Sequence, residues 1–324
     1  MKNKKNILVT GGAGLIGSYL VEMLAKNYID DKIIVIDDFS KGKKQNLSSV
    51  QDLIEIREGD LEDEKFSKEA LYDCDVLYHL ASRAYGIGYS LNNHYKILQH
   101  NERITNNIFE TLSRKQPEYI SVVSSSCVYD DDGPNTTNEI DVFQGQPEKA
   151  NYGYGWAKRF LEQKAVLFAL EKNIPVSICR PFNIYGERYN WVGEYSQAIP
   201  MLVKKILDGN NPVHVWGTGN QRRSYMHASD CARLILEISK IKYCKGPVNI
   251  GTEETIAVLD LVKMICEITG KNPEIICDVK QPEGRKIKSA DMRLFYSLFP
   301  DFNLKMELKQ GIIKMTDWYR QSFS

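Results

Sequence analysis

Short apolar runs alternate with longer amphipathic stretches along this chain. Asn6-Ile7-Leu8-Val9-Thr10 has the composition of a buried strand, and apolar residues at helical spacing follow at Tyr19, Leu20, Met23 and Leu24. Strand-type runs recur at residues 32–36, 53–57, 76–81 and 119–123. Helical segments of ten or more residues separate them, including 101–112 and 154–170. Strands alternating with helices predict an α/β fold, a doubly wound parallel sheet of the Rossmann kind. The later part of the chain carries the same mixture in shorter pieces and reads as a smaller α/β unit. The expected division is 1–180 plus about 227–250 for a dinucleotide-binding domain, and about 181–226 plus 251–324 for the second. No internal repeat, low-complexity tract or long linker interrupts this order.

The junction of the first strand and first helix reads Gly11-Gly12-Ala13-Gly14-Leu15-Ile16-Gly17. Three positions without side chains, Gly11, Gly14 and Gly17, let a pyrophosphate approach the backbone and rest on the free N–H groups of a helix start. The next strand ends in Asp37-Asp38, about twenty residues on, as a dinucleotide fingerprint requires. Asp37 is placed to accept hydrogen bonds from the adenosine ribose, and its charge repels a 2′-phosphate, so NAD is expected rather than NADP. Lys41, Lys43 and Lys44 read as a solvated loop. Gly59-Asp60-Leu61 follows the third strand, with Asp60 suited either to reach the adenine or to cap a helix. The fourth strand closes in small residues at Leu80-Ala81, where bulk would obstruct the cofactor.

Downstream, Ser124-Ser125-Ser126-Cys127-Val128-Tyr129 precedes Tyr154-Gly155-Trp156-Ala157-Lys158. Residues four apart on a helix share a face, so Tyr154 and Lys158 lie together. An ammonium beside a phenol favours the phenolate. The phenol can then take a hydroxyl proton while a hydride leaves for the nicotinamide, and a nearby serine hydroxyl orients the alcohol.

Composition narrows the classes. A formal net charge of zero gives no pull toward nucleic acid or an anionic membrane. No apolar run is long enough to span a bilayer, and the basic start enters a strand and loop rather than a signal peptide. Seven scattered cysteines without a Cys-x-x-Cys spacing imply free thiols in a reducing cytoplasm and no metal site.

These motifs resemble the extended short-chain dehydrogenase/reductase family, the NAD-dependent sugar epimerases and dehydratases. The likeness spans nearly the whole chain. It takes in the glycine loop, Asp37-Asp38-Phe39-Ser40, His79-Leu80-Ala81, the serine run, Tyr154/Lys158, Arg180-Pro181-Phe182-Asn183-Ile184-Tyr185-Gly186, residues 217–230 and the segment with Trp318-Tyr319. The resemblance implies a triad of Ser125, Tyr154 and Lys158. It implies a cofactor set of Gly11, Gly14, Leu15, Ile16, Gly17, Asp37, Asp60, Leu61, Leu80, Ala81 and Lys158. It also implies a nucleotide-sugar substrate whose diphosphate meets Asn183, Arg223 and Arg285, and a homodimer built on the two long helices.

Within the family, Ser126 and Cys127 stand where the 4,6-dehydratases carry an Asp-Glu pair, which argues against dehydration. Cys127 matches the GDP-mannose 3,5-epimerase branch, as does the loop Tyr85-Gly86-Ile87-Gly88-Tyr89, with His94 following. That branch implies a GDP-manno-type sugar, Cys127 as an acid/base, and Gly86 and Gly88 against the substrate. Its second acid/base is a lysine; Val192 stands in that place here. His94 and Tyr85 are the candidates to replace it. A 4-epimerase, a 4-dehydrogenase releasing a keto sugar and a non-catalytic NAD-binding regulator remain open alternatives.

Overall fold

A computed structural model describes residues 4–139, 144–191, 193, 198–281 and 283–323. Asn6–Thr10 lies near the middle of a seven-stranded, wholly parallel sheet. Lys32–Asp37 and Ile54–Glu58 extend the sheet to one side. Val76–His79, Tyr119–Val123, Val176–Pro181 and Pro247–Ile250 extend it to the other. Successive side chains on a strand point to opposite faces, and both faces of a parallel sheet are covered. Ile7, Val9, Ile33, Val35 and Tyr78 therefore join one core, and Leu8, Ile34, Ile36, Leu77 and Ile120 join the other. The helices Leu15–Asn27 and Ala228–Lys240 cover the first face; His94–Arg114 and Tyr152–Lys172 cover the second. The chain leaves the first strand to one side and returns on its other side. The crevice at that reversal opens beyond the strands' carboxyl ends.

A third core gathers Tyr185, Trp191, Ile199, Leu202, Val213, Leu261, Ile265, Ile312 and Met315. It lies among the helices Ala198–Leu207, Val258–Thr269 and Leu308–Phe323 and a two-stranded pair, Val213–Trp216 with Ile275–Asp278. A four-stranded sheet joins the two parts. It orders Ile256–Ala257, Arg222–Arg223, Ile287–Ala290 and Thr136–Thr137. Beyond it, Met292 and Phe295 enter the first core of the large sheet. Among the described residues no helix is long and apolar enough to cross a membrane, and no cluster of three His, Cys, Asp or Glu residues is arranged to hold a metal.

Candidate active site

A cavity of about 980 Å³ runs from the glycine loop, past the ends of the central strands, to the third core. That is the upper end of the size of small-molecule sites, roughly 300–1,000 Å³. Gly11, Gly14, Leu15, Ile16 and Gly17 form its floor at one end. The Leu15–Asn27 helix starts at Gly14 with no side-chain cap, so its first amides are free for an anion. A Cβ at Gly17 would stand 2.2 Å from the carbonyl oxygen of Gly11, so only glycine permits this packing. Asp37, Asp60, Leu61, Leu80 and Ala81 complete that end. Asp37 accepts from the amides of Ala13 and Phe39, both at 2.9 Å. These residues fit the dinucleotide expected from the fingerprint.

Arg83, unassigned from sequence, ties this end together. Its guanidinium pairs with Asp38 at 2.7 Å and Asp60 at 2.9 Å, and reaches Ser40 Oγ. Asp60 is thus a wall residue, and Asp63 instead caps the following helix by accepting from Phe66 N. The lysine loop also differs from expectation. Lys41 lines the cavity, with Nζ donating to the Ala84 carbonyl at 2.7 Å. Burial, and then the neighbouring Arg83, lowers its pKa to about 8. Lys44 pairs with Glu58, and Lys43 lies over the Trp318 ring.

At the centre, Ser125, Cys127, Tyr154 and Lys158 line one stretch of wall. Ser125 Oγ accepts from the Cys127 amide at 3.2 Å, which holds residues 126–128 in a tight 3₁₀ turn. The helix bearing Tyr154 presses onto this turn through Gly155, where a Cβ would lie 2.5 Å from Cys127 O. Four residues further on, Lys158 Nζ donates to Val123 O at 2.8 Å and sits 5.6 Å from the Tyr154 ring centre. Burial, helped by Lys41, lowers Lys158 to about 7. The Tyr154 hydroxyl is hydrogen-bonded to Ser82, and burial pushes its pKa up. Sequence spacing suggested a phenol activated by its lysine. In the structure desolvation dominates both groups, raising the phenol and lowering the lysine.

One turn beyond Lys158, on the same face, Glu162 forms a buried pair with Arg180. The two contacts are 2.8 and 2.6 Å, and both side chains are under 5% exposed. Ser124 Oγ donates to Glu162, while Arg180 also donates to Tyr129, which in turn donates to Asn249. This network clamps the serine-bearing strand end to the tyrosine-bearing helix.

Two other groups beside Cys127 were missed in the sequence. Glu148 accepts a hydrogen bond from the thiol and pairs with Lys288 at 3.0 Å. Glu148 lies six residues before Tyr154, and Lys288 arrives on the strand Ile287–Ala290 from far along the chain. No local pattern links them. Burial, then the Glu148 carboxylate, pushes the Cys127 thiol up to about 12. Burial alone would raise Glu148, but Lys288, the thiol and Asn151 together bring it down to about 2. Tyr189 is a further wall residue, and its hydroxyl is within electrostatic reach of Tyr154.

The remaining substrate candidates divide. Tyr85, Gly86, Gly88, Asn183 and Arg223 line the cavity. Tyr85 stacks on Tyr89 at 4.3 Å, and Asn183 Nδ2 donates to Ser224 O. His94 and Arg285 do not line it. His94 begins its helix with Nδ1 accepting from the Gly153 amide at 3.3 Å, so it braces the start of the tyrosine helix. Arg285 Nη2 donates to the carbonyls of Gly133 and Pro134 and holds that loop. Val192 lies outside the described residues, as does Pro282 before Glu283.

The model of the NAD dependent epimerase/dehydratase family matches residues 7–251. The chain is 30% identical to a putative UDP-glucose 4-epimerase of Methanocaldococcus jannaschii, covering 98% of this chain and 99% of that protein. It is 27% identical to UDP-N-acetyl-alpha-D-glucosaminuronate decarboxylase of Bacillus cytotoxicus, over 98% of each. The UDP-glucose 4-epimerase of Thermotoga maritima, solved with UDP-glucose, superposes with a TM-score of 0.86 at 25% identity, over 98% of this chain and all of that one.

Proposed function

Since the chain belongs to the NAD dependent epimerase/dehydratase family, we propose that it is a nucleotide-sugar epimerase working through transient oxidation at C4. In this reading it inverts C3 or C5 of a GDP-manno-type sugar, with Cys127 as acid/base. The observation that carries the reading is the convergence of Ser125, Tyr154 and Cys127 on one stretch of cavity wall. NAD supplies the hydride acceptor when bound. Ser125 orients the sugar alcohol, Tyr154 takes its proton and Lys158 holds the nicotinamide ribose. A ketone at C4 acidifies the hydrogens at C3 and C5. Cys127 takes one of these protons as its own passes to Glu148, to which the thiol is hydrogen-bonded, and Tyr85, which lines the cavity, delivers a proton to the other face of the carbon. Asn183 and Arg223 take the diphosphate. The GDP-manno assignment rests on the Ser-Ser-x-Cys-x-Tyr run and the glycine loop at 85–89.

Turnover in deuterated water tests this. Label at C3 or C5 is expected, and Cys127→Ala should lower that exchange by about 10²-fold or more while C4 oxidation persists. Turnover without label at either carbon would refute it. It would support a second reading, a 4-epimerase or a 4-dehydrogenase releasing a keto sugar. One feature favours that alternative: His94, the other candidate second proton carrier, faces the Gly153 amide instead of the cavity.

The Tyr152–Lys172 helix leaves Tyr152, Phe160, Val166, Leu167 and Leu170 exposed beside the His94–Arg114 helix. This apolar stripe supports a homodimer in which the two helices pair with their copies. The free cysteines fit a cytoplasmic setting.

A further inference from the structure

The stretch of cavity wall beside Cys127 carries a buried ion pair that the C4 chemistry does not need. Lys288 and Glu148 meet at 3.0 Å with side chains 6% and 15% exposed, and both line the cavity with Tyr154 and Cys127. The backbone of each is held in place. The backbone at Lys288 pairs with Arg223 on one side, and its neighbour Ser289 pairs with Thr136 on the other. The Glu148 amide donates to Cys127 O at 3.2 Å, and Glu148 Oε2 also accepts from Asn151. The next cation, Arg223, is the one assigned above to the diphosphate, and it also braces backbone. It donates to the carbonyls of Arg222, Arg285 and Glu283.

Such a wall discriminates by charge. A sugar hydroxyl can accept from the ammonium and donate to the carboxylate. A sugar carboxylate would meet Glu148 in a poorly solvated site, and Lys288 is already neutralised there. We propose that the Glu148–Lys288 pair determines sugar specificity, admitting a nucleotide-linked hexose without a carboxylate and refusing the corresponding hexuronate. This deepens the reading above, because it takes the sugar to lie beside Cys127.

Calorimetric titration of the NAD-loaded protein with two matched pairs tests it: UDP-glucose against UDP-glucuronate, and GDP-mannose against GDP-mannuronate. Using both pairs separates sugar charge from the choice of base. The neutral member of whichever pair binds should be preferred by about tenfold or more. Glu148→Gln removes the repelling charge and leaves the ammonium to meet a uronate, so the preference should shrink about tenfold or invert. Lys288→Gln should widen it. Equal binding of hexose and uronate by the parent protein would overturn the proposal. So would an unchanged ratio in a folded Glu148→Gln protein, or binding of none of the four sugars. If Glu148→Gln does not fold, the parent ratio and Lys288→Gln decide. Deuterium exchange is a separate readout. Its loss with the binding preference intact would refute the Cys127 reaction alone.

Discussion

Tyr154 and His79 show what burial does to a single side chain here. Tyr154→Phe removes the phenol that meets Ser82 and lies beside Lys158, and in the proposed reaction should cost about 10²–10⁴-fold in kcat with NAD affinity kept. Single-turnover absorbance of the reduced cofactor, with a separate titration of NAD, checks both halves. His79 is fully enclosed, its Nδ1 2.8 Å from Thr10 Oγ1, and burial lowers its pKa from 6.5 to about 3. The unfolded chain binds a proton there below pH 6.5 while the folded one does not. Its contribution is therefore intact above pH 6.5 and falls as pH drops toward 3, by about 1.4 kcal/mol per unit. Urea unfolding at pH 7, 5 and 4 should show a shallower acid loss in His79→Asn, by about one proton's worth. Glycine spacing and the Tyr/Lys pair were legible in the sequence because their geometry is local. Glu148, Lys288, Arg83 and Ser82 were not: Lys288 arrives from far along the chain, and the other three lie near the motifs in sequence without a spacing that marks them.

Besides the Lys158–Val123 hydrogen bond, Glu162 ties the Tyr152–Lys172 helix to the sheet, accepting from Ser124 just past the Tyr119–Val123 strand and pairing with Arg180 on Val176–Pro181. A lone buried charge is far costlier than the pair, so Glu162→Ala should destabilise the protein by roughly 3–5 kcal/mol. Replacing both residues with apolar ones of similar volume should recover much of that stability but misplace Ser125, lowering kcat more than it raises KM. Denaturation midpoints and steady-state kinetics separate the two effects. Element positions followed from periodicity: helices expected at 101–112 and 154–170 lie inside His94–Arg114 and Tyr152–Lys172. The strand expected from residue 53 begins at Ile54, because Leu53 still belongs to the preceding 3₁₀ segment. His94 misled for a related reason. Nearness to the glycine loop in sequence is not nearness in space once a helix starts and turns the ring toward Gly153.

At the scale of the whole molecule, Leu167 and Leu170 are 57% and 75% exposed on the helix that carries Tyr154. Leu167→Glu should turn the proposed dimer into a monomer by light scattering, with the circular dichroism spectrum unchanged. Retention of the dimer would place the interface elsewhere. The order of strands has another consequence. Pro247–Ile250 completes the large sheet against Val176–Pro181, yet part of the smaller unit, including Ala198–Leu207 and Val213–Trp216, is synthesised between them. On the ribosome, Val176–Pro181 emerges first and waits with unsatisfied amides and carbonyls until some seventy further residues have been made. Nascent chains arrested in that interval should be the ones most dependent on chaperones.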